Sequence, residues 1–159
     1  MVITYQPIGV IHSPFTSVTG MPIQPPGAVG IEGTAVVNPE FLEGLRDLDG
    51  FSHLILLYHF HQVTESQLVV TPFLDQQPRG VFATRAPKRP NPIGLSVVRL
   101  MRMEGNILHI QDVDILDGTP LLDIKPYVPE FDGQPAARAG WFERAKGQVQ
   151  DKRSDDRFK

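Results

Sequence analysis

Three prolines, Pro87, Pro90 and Pro92, stand within a span of six residues and restrict the chain more than any other feature. Each holds its own φ near −65° and pushes the residue before it, Ala86, Arg89 or Asn91, toward extended geometry. The stretch from Thr84 to Ser96 is therefore a stiff loop with little conformational entropy to lose. Arg85, Lys88 and Arg89 are carried on it, and Gly94 permits an approach that a side chain would block. A stiff, basic, polar loop between apolar strands suits a preorganised site for an anionic or polar ligand.

The elements around the loop are short. Residues 6–13 form a first strand ended by Pro14, and Phe15 to Gly30 is a long connection rich in Pro and Gly. Ile31 to Val37 is a second strand. Asn38-Pro39-Glu40 starts a helix, with an Asn cap and Pro at the first helical position. Phe41, Leu42, Leu45 and Leu48 give that helix an apolar side, and Asp49-Gly50 ends it. Phe51 to His61 reads as a central strand with apolar residues on both faces, as in a barrel wall or at a subunit interface. Gly80 to Ala83 is a short strand feeding the proline loop. Leu95 to Met103 and Ile107 to Leu116 form a hairpin at Glu104-Gly105-Asn106. Leu121 to Lys125 is a last strand. Many short strands and one helix predict a mostly β, single-domain barrel over residues 1–135. Residues 136–159 form a tail docked by Trp141 and Phe142, with Gln150 to Lys159 frayed.

At 159 residues, 41% of them hydrophobic, the chain can bury about two thirds of its unfolded surface. It has no cysteine, which excludes disulfides, thiolate metal sites and a cysteine nucleophile. The N-terminus lacks the pattern of a signal peptide and no run reaches membrane-spanning length, so a cytoplasmic protein with no membrane partner is expected. The net charge of −3 conceals an asymmetry. From Gln76 to Met103 there are six basic residues and no acid, which can give an acidic protein a local positive field.

Several chemistries are disfavoured. No Gly-x-Gly-x-x-Gly follows a strand, no phosphate loop is present and no Gly-x-Ser-x-Gly elbow occurs. His53, His59 and His61 share strand parity, but His53 lies roughly 20 Å from the other two at about 3.3 Å per residue. The three cannot share one metal without a sharp bend, and no metal is assigned. Asp112 and Asp114 fit either a divalent ion or simple solvation at a loop edge. Asp117-Gly118-Thr119-Pro120 is a tight turn in which Pro120 keeps Thr119 extended, leaving its backbone able to face a ligand.

Two long segments resemble the TsaA-like (TrmO) family. One is Phe82-Ala83-Thr84-Arg85-Ala86-Pro87-Lys88-Arg89-Pro90-Asn91-Pro92-Ile93-Gly94-Leu95-Ser96. The other is Asp114-Ile115-Leu116-Asp117-Gly118-Thr119-Pro120-Leu121-Leu122-Asp123-Ile124-Lys125-Pro126-Tyr127. Ile8 to Phe15, Pro22-Ile23-Gln24 and Phe51 to His61 agree with it, in the family's order. The resemblance implies a non-Rossmann β-barrel methyltransferase, acting as a homodimer. It implies the cofactor S-adenosyl-L-methionine and N6-methylation of N6-threonylcarbamoyladenosine beside the tRNA anticodon. By motif, cofactor contacts fall on Pro22, Ile23, Gln24, His61, Gln62, Arg85, Leu95, Ile115, Leu116, Asp117, Gly118 and Thr119. Ile23 departs from the basic residue common in relatives, and the C-terminal domain of longer members is absent from this sequence.

Within that resemblance, Asp117, Tyr127 and His61 are candidates to accept the acceptor nitrogen's proton. Arg85 is suited to a phosphate or carboxylate, and Lys88, Arg89, Asn91 and Lys125 are the residues expected to meet RNA, with the anticodon loop as partner. Two other functions fit the same residues: a non-catalytic S-adenosylmethionine or nucleotide-binding module, and a metal-dependent hydrolase using His59 and His61.

Overall fold

The computed structural model describes residues 1–145 and 151–158. Six strands close an antiparallel barrel: β1 (Gly9–His12), β2 (Glu32–Val37), β3 (His53–His59), β6 (Ile93–Glu104), β7 (Ile107–Gln111) and β8 (Thr119–Pro126). Between β3 and β6, β4 (Val69–Val70) and β5 (Arg79–Gly80) pair as a separate ribbon. Around the barrel the order is β1-β2-β7-β6-β3-β8. Closure leaves no open edge in the main sheet.

Alternation along each strand fills the barrel. Ile11, Ala35, Val37, Leu54, Leu56, Tyr58, Val98, Leu108, Ile110 and Leu121 are buried and pack as one core. On β3 the opposite face, His53, Ile55, Leu57 and His59, is half-buried, so only one face enters the core. Tyr58 pairs with Gly94 of β6. A Cβ on Gly94 would stand 2.3 Å from Tyr58 Cε2 and 2.9 Å from Phe60 Cζ, so glycine is what lets both rings cross the strand.

Antiparallel alternation sends connections to opposite ends of the barrel. Segments 13–31, 60–92 and 112–118 meet at one end. The β2–β3 connection, the β6–β7 turn and the chain leaving β8 lie at the other. The β6–β7 turn falls where Gly105 was expected to place it, with φ 60°.

Three local expectations are corrected. The segment after Asn38 is not one capped helix but two 3₁₀ turns, Pro39–Leu45 and Leu48–Gly50. Asn38 makes no side-chain cap, and Asp47 adopts the left-handed conformation (φ 68°), which stops a continuous helix. Val81–Ala83 is a 3₁₀ turn rather than a strand continuing from Gly80. β7 ends at Gln111 because Asp112 turns the chain at φ 67°, its Oδ1 accepting from Gly30 N at 2.9 Å.

The chain leaving β8 forms a short helix α1 (Pro129–Asp132) and returns toward the loop end. Trp141 Nε1 donates to Ala83 O at 2.7 Å, the Arg79 guanidinium stacks on its ring, and Phe142 meets it edge-on. Residues 151–158, from a segment expected to fray, lie against the first loop. Ser154 exchanges backbone hydrogen bonds with Met21 and Gly20, and Phe158 meets Phe73 edge-on at 5.2 Å. Gln150 and Lys159 lie outside the described residues.

Candidate functional site

A cleft of about 1420 Å³ opens at the end where the three long connections meet. Small-molecule sites usually run from about 300 to 1,000 Å³, so this one has room for more than a single small ligand. Its walls are the 16–29 loop, the exit of β3 from Tyr58 to Val63, the proline loop and the β7–β8 connection. Ala139, Trp141, Phe142 and Phe158 of the tail complete the rim.

Of the residues assigned to the cofactor, Pro22, Ile23, Gln24, His61, Gln62, Arg85, Leu95, Ile115, Leu116 and Thr119 all line this cleft. They come from four stretches far apart in sequence. The Arg85 guanidinium donates to Gln24 Oε1 at 3.0 Å, which ties the proline loop to the first loop. Thr119 Oγ1 donates to Leu116 O at 2.6 Å and fixes the Asp117-Gly118 turn, where Gly118 has φ 79°.

Asp117 and Gly118 belong to that turn but do not line the cleft. The Asp117 carboxylate accepts from Ser13 N and meets His12 Nδ1, both at 3.1 Å. The Ser13 N–H, and next His12, hold its pKa below the ordinary carboxylate value, which makes it a poor proton acceptor. Tyr127 is at the far end: its N–H donates to His53 O, and Lys125 pairs with Ile55. His61 follows His53 by eight residues, roughly 26 Å at about 3.3 Å per residue, so Tyr127 and Lys125 are not brought to the cleft with it. His61 is at the rim, its pKa lowered by partial burial and by His59.

The basic loop divides by role. Lys88 is buried and its Nζ reaches Glu65 Oε1 at 3.3 Å. Arg89 Nη1 donates to the carbonyls of Ala86 and Thr84 at 3.0 and 3.1 Å, so it staples the loop even though it lines the cleft. Asn91 is exposed outside the cleft. Lys88 is thus not presented to RNA, because its charge is spent inside the protein. Arg85 is exposed on the cleft wall.

Sequence reasoning missed the cleft floor. Tyr58 OH lies 2.8 Å from Ser96 Oγ, and Ser96 Oγ donates to Asp114 Oδ1 at 2.6 Å. Ser96 has one hydroxyl proton, and it points to the carboxylate, so Tyr58 donates to Ser96. Burial raises the Asp114 pKa to about 6, opposed by the Ser96 hydrogen bond and the Arg85 charge. Burial also raises Tyr58, with Asp114 adding to the effect. Asp114 is therefore not a solvated loop-edge acid. The signal was available: Ser96 shares inward parity with Gly94 and Val98, and Asp114 sits inside the apolar run Val113 to Leu116. Among the described residues, no group of three or more His, Cys, Asp or Glu is placed to hold a metal ion.

A closed antiparallel barrel with a loop-built cleft at one end, and no Gly-rich nucleotide fingerprint, defines a non-Rossmann ligand-binding barrel. Residues 10–133 match the model of the tRNA-methyltransferase O N-terminal domain, and the chain belongs to the TrmO family. It is 58% identical over 158 residues to a probable S-adenosyl-L-methionine-binding protein of Pyrococcus abyssi, covering 99% of this chain and 86% of that one. It is 37% identical over 136 residues to the human tRNA (adenine(37)-N6)-methyltransferase, covering 80% of this chain and 30% of that one. The crystal structure of TrmO from Pseudomonas aeruginosa superposes with a TM-score of 0.75 at 43% identity, over 89% of this chain and 63% of that one. No helix among the described residues is long and apolar enough to cross a membrane.

Proposed function

We propose that this chain is an S-adenosyl-L-methionine-dependent methyltransferase that N6-methylates adenosine 37 of tRNA, with N6-threonylcarbamoyladenosine as the acceptor. The observation that carries this reading is the convergence of Pro22 to Gln24, His61, Gln62, Arg85, Leu95, Ile115, Leu116 and Thr119 on one cleft. The naming of the human relative as a tRNA (adenine(37)-N6)-methyltransferase supports the substrate.

The residues fit such a cofactor by their chemistry. Arg85 complements its carboxylate, and Leu95, Ile115 and Phe60 offer apolar surface. When bound, S-adenosylmethionine supplies a methyl group already activated on sulfur. The chain then has to align the acceptor and exclude water. The stiff proline loop and the Arg85–Gln24 bridge hold the two walls apart at fixed spacing. The barrel of residues 1–135 carries the chemistry, and Ala139, Trp141, Phe142 and Phe158 of the tail line the rim. We further infer a cytoplasmic homodimer, in which Ile55 and Leu57 of β3 with the exposed Ile93 and Leu95 of β6 meet a second copy.

Calorimetric titration with S-adenosylmethionine, followed by transfer of labelled methyl into tRNA with and without threonylcarbamoylation, tests the reading. Binding and incorporation only into the modified tRNA are expected. Tight binding without incorporation identifies a binding module instead, and no binding overturns the proposal.

A further inference from the structure

We propose that Asp114 takes up the proton that the acceptor nitrogen loses during methyl transfer, and that Ser96 and Tyr58 position it for that task. This rests on the methyltransferase reading above. In the reaction the acceptor nitrogen forms a bond to the methyl carbon while the carbon–sulfur bond breaks and its electron pair stays on sulfur. The N–H electron pair remains on nitrogen, and the proton passes to the Asp114 carboxylate. Charge balances: a sulfonium becomes a neutral thioether and a carboxylate becomes a carboxylic acid.

Geometry selects Asp114 over the other acids and bases. It is buried, lines the cleft beside Ile115 and Leu116, and receives the Ser96 hydroxyl at 2.6 Å. That bond fixes one carboxylate oxygen and orients the group. Tyr58 closes the chain behind Ser96 at 2.8 Å and is held by the ring contact with Phe60. Asp117 faces His12 and Ser13 instead, and Tyr127 is at the other end of the barrel. A carboxylate in ordinary solution is too weak a base to help much near neutral pH. Burial moves Asp114 upward to about 6, toward the operating range of a general base.

The charged and titratable groups that line the cleft with it are Tyr58 from β3, His61 from the β3 exit, Arg85 and Arg89 from the proline loop, Asp112 from its own loop and Asp155 from the tail. Of these, Arg85 and Tyr58 are the ones whose charge or proton is coupled to it. Tyr58 stays protonated throughout, since its pKa is raised. His61 also titrates, with burial and His59 lowering its pKa from the ordinary imidazole value, so the test includes a variant of it.

Single-turnover methyl transfer should rise with pH to a midpoint near 6 and then level. Asp114→Asn, which keeps an oxygen for Ser96, should lower the rate about 10²- to 10⁴-fold, remove the rising limb and leave donor affinity intact. Ser96→Ala removes a hydrogen bond that favours the ionised carboxylate, and should move the limb to higher pH. His61→Gln should keep the limb. In the protein alone, the ¹³C carboxyl resonance of Asp114 should titrate near 6 without any reaction. A limb that survives Asp114→Asn, a limb that vanishes with His61→Gln, or an Asp114 midpoint near 4 overturns the proposal. So does an Asp114→Asn variant whose rate is native while its donor affinity falls, which would make the residue a cation anchor. A flat wild-type profile from about pH 5 to 7 overturns it without any variant. If the wild-type protein transfers no methyl to any tRNA, the function reading fails and this proposal falls with it; native-rate transfer by Asp114→Asn removes only the proposal.

Discussion

The Arg85 guanidinium reaches Gln24 Oε1 at 3.0 Å across a sequence separation of 61 residues. Both groups are on the surface of the cleft, so the bond orders two loops without being part of the core. Arg85→Ala should therefore weaken S-adenosylmethionine binding by about 1–2 kcal/mol, roughly tenfold, while leaving the unfolding midpoint nearly unchanged. Calorimetry and thermal unfolding on the same sample separate the two effects. Unchanged binding and transfer would remove Arg85 from the site.

Gly94 makes the opposite kind of prediction. A Cβ there meets the Tyr58 ring at 2.3 Å, and that ring is buried and tied by its hydroxyl to Ser96. Gly94→Ala should cost about 1–3 kcal/mol of stability, read from urea unfolding, and should disturb the Tyr58–Ser96 hydrogen bond as the ring moves. Retained stability would mean that the ring can swing away.

Lys88 separates charge from RNA contact. Its ammonium is buried while its partner Glu65 is mostly exposed, so removing Lys88 leaves no buried charge behind. Lys88→Ala should cost about 1 kcal/mol through lost packing of its stem, with the salt dependence of tRNA binding unchanged. A shallower salt slope in Lys88→Ala would show a phosphate contact after all.

Asp114 also links stability to pH. Its folded pKa of about 6 lies above the unfolded value of 3.8, so the folded state binds the proton more tightly. The contribution is fully present below about pH 4 and is lost as pH rises to about 6, by at most about 3 kcal/mol. Asp75, Glu104 and Asp117 are shifted downward and act in the other direction. They are common to both proteins, so the comparison of wild type with Asp114→Asn isolates the one residue. The variant should gain on wild type between about pH 4 and 6 in urea titrations, and hold that gain above. A difference that is flat in pH would place Asp114 in contact with solvent.

The barrel was legible because period-2 alternation survives burial: Leu54, Leu56 and Tyr58 announce one face of β3, and the Gly105 turn sets the β6–β7 register. The cleft walls were legible through the resemblance, which names short motifs and not their arrangement. What could not be seen were side-chain destinations. Lys88 and Arg89 are adjacent basic residues in sequence, yet one turns inward to Glu65 and the other binds its own loop's carbonyls. Asp114 and Asp117 differ by three positions, yet Asp114 is buried against Ser96 while Asp117 faces His12 and Ser13. The segment after Asn38 carried helix signals, but a left-handed Asp47 and the short span to β3 left no room for a full helix.

The cleft draws its walls from segments 16–29, 58–63, 82–97 and 112–119, so no fragment of the chain possesses it before the barrel closes. Its occupant can recognise only the finished fold. Mass action then makes the occupant a reporter of folding: at a hundred times its Kd it adds about 2.7 kcal/mol to the stability of the protein. A cell short of the methyl donor would hold not only an idle protein but a more perishable one, its lifetime set by the supply of the molecule it consumes.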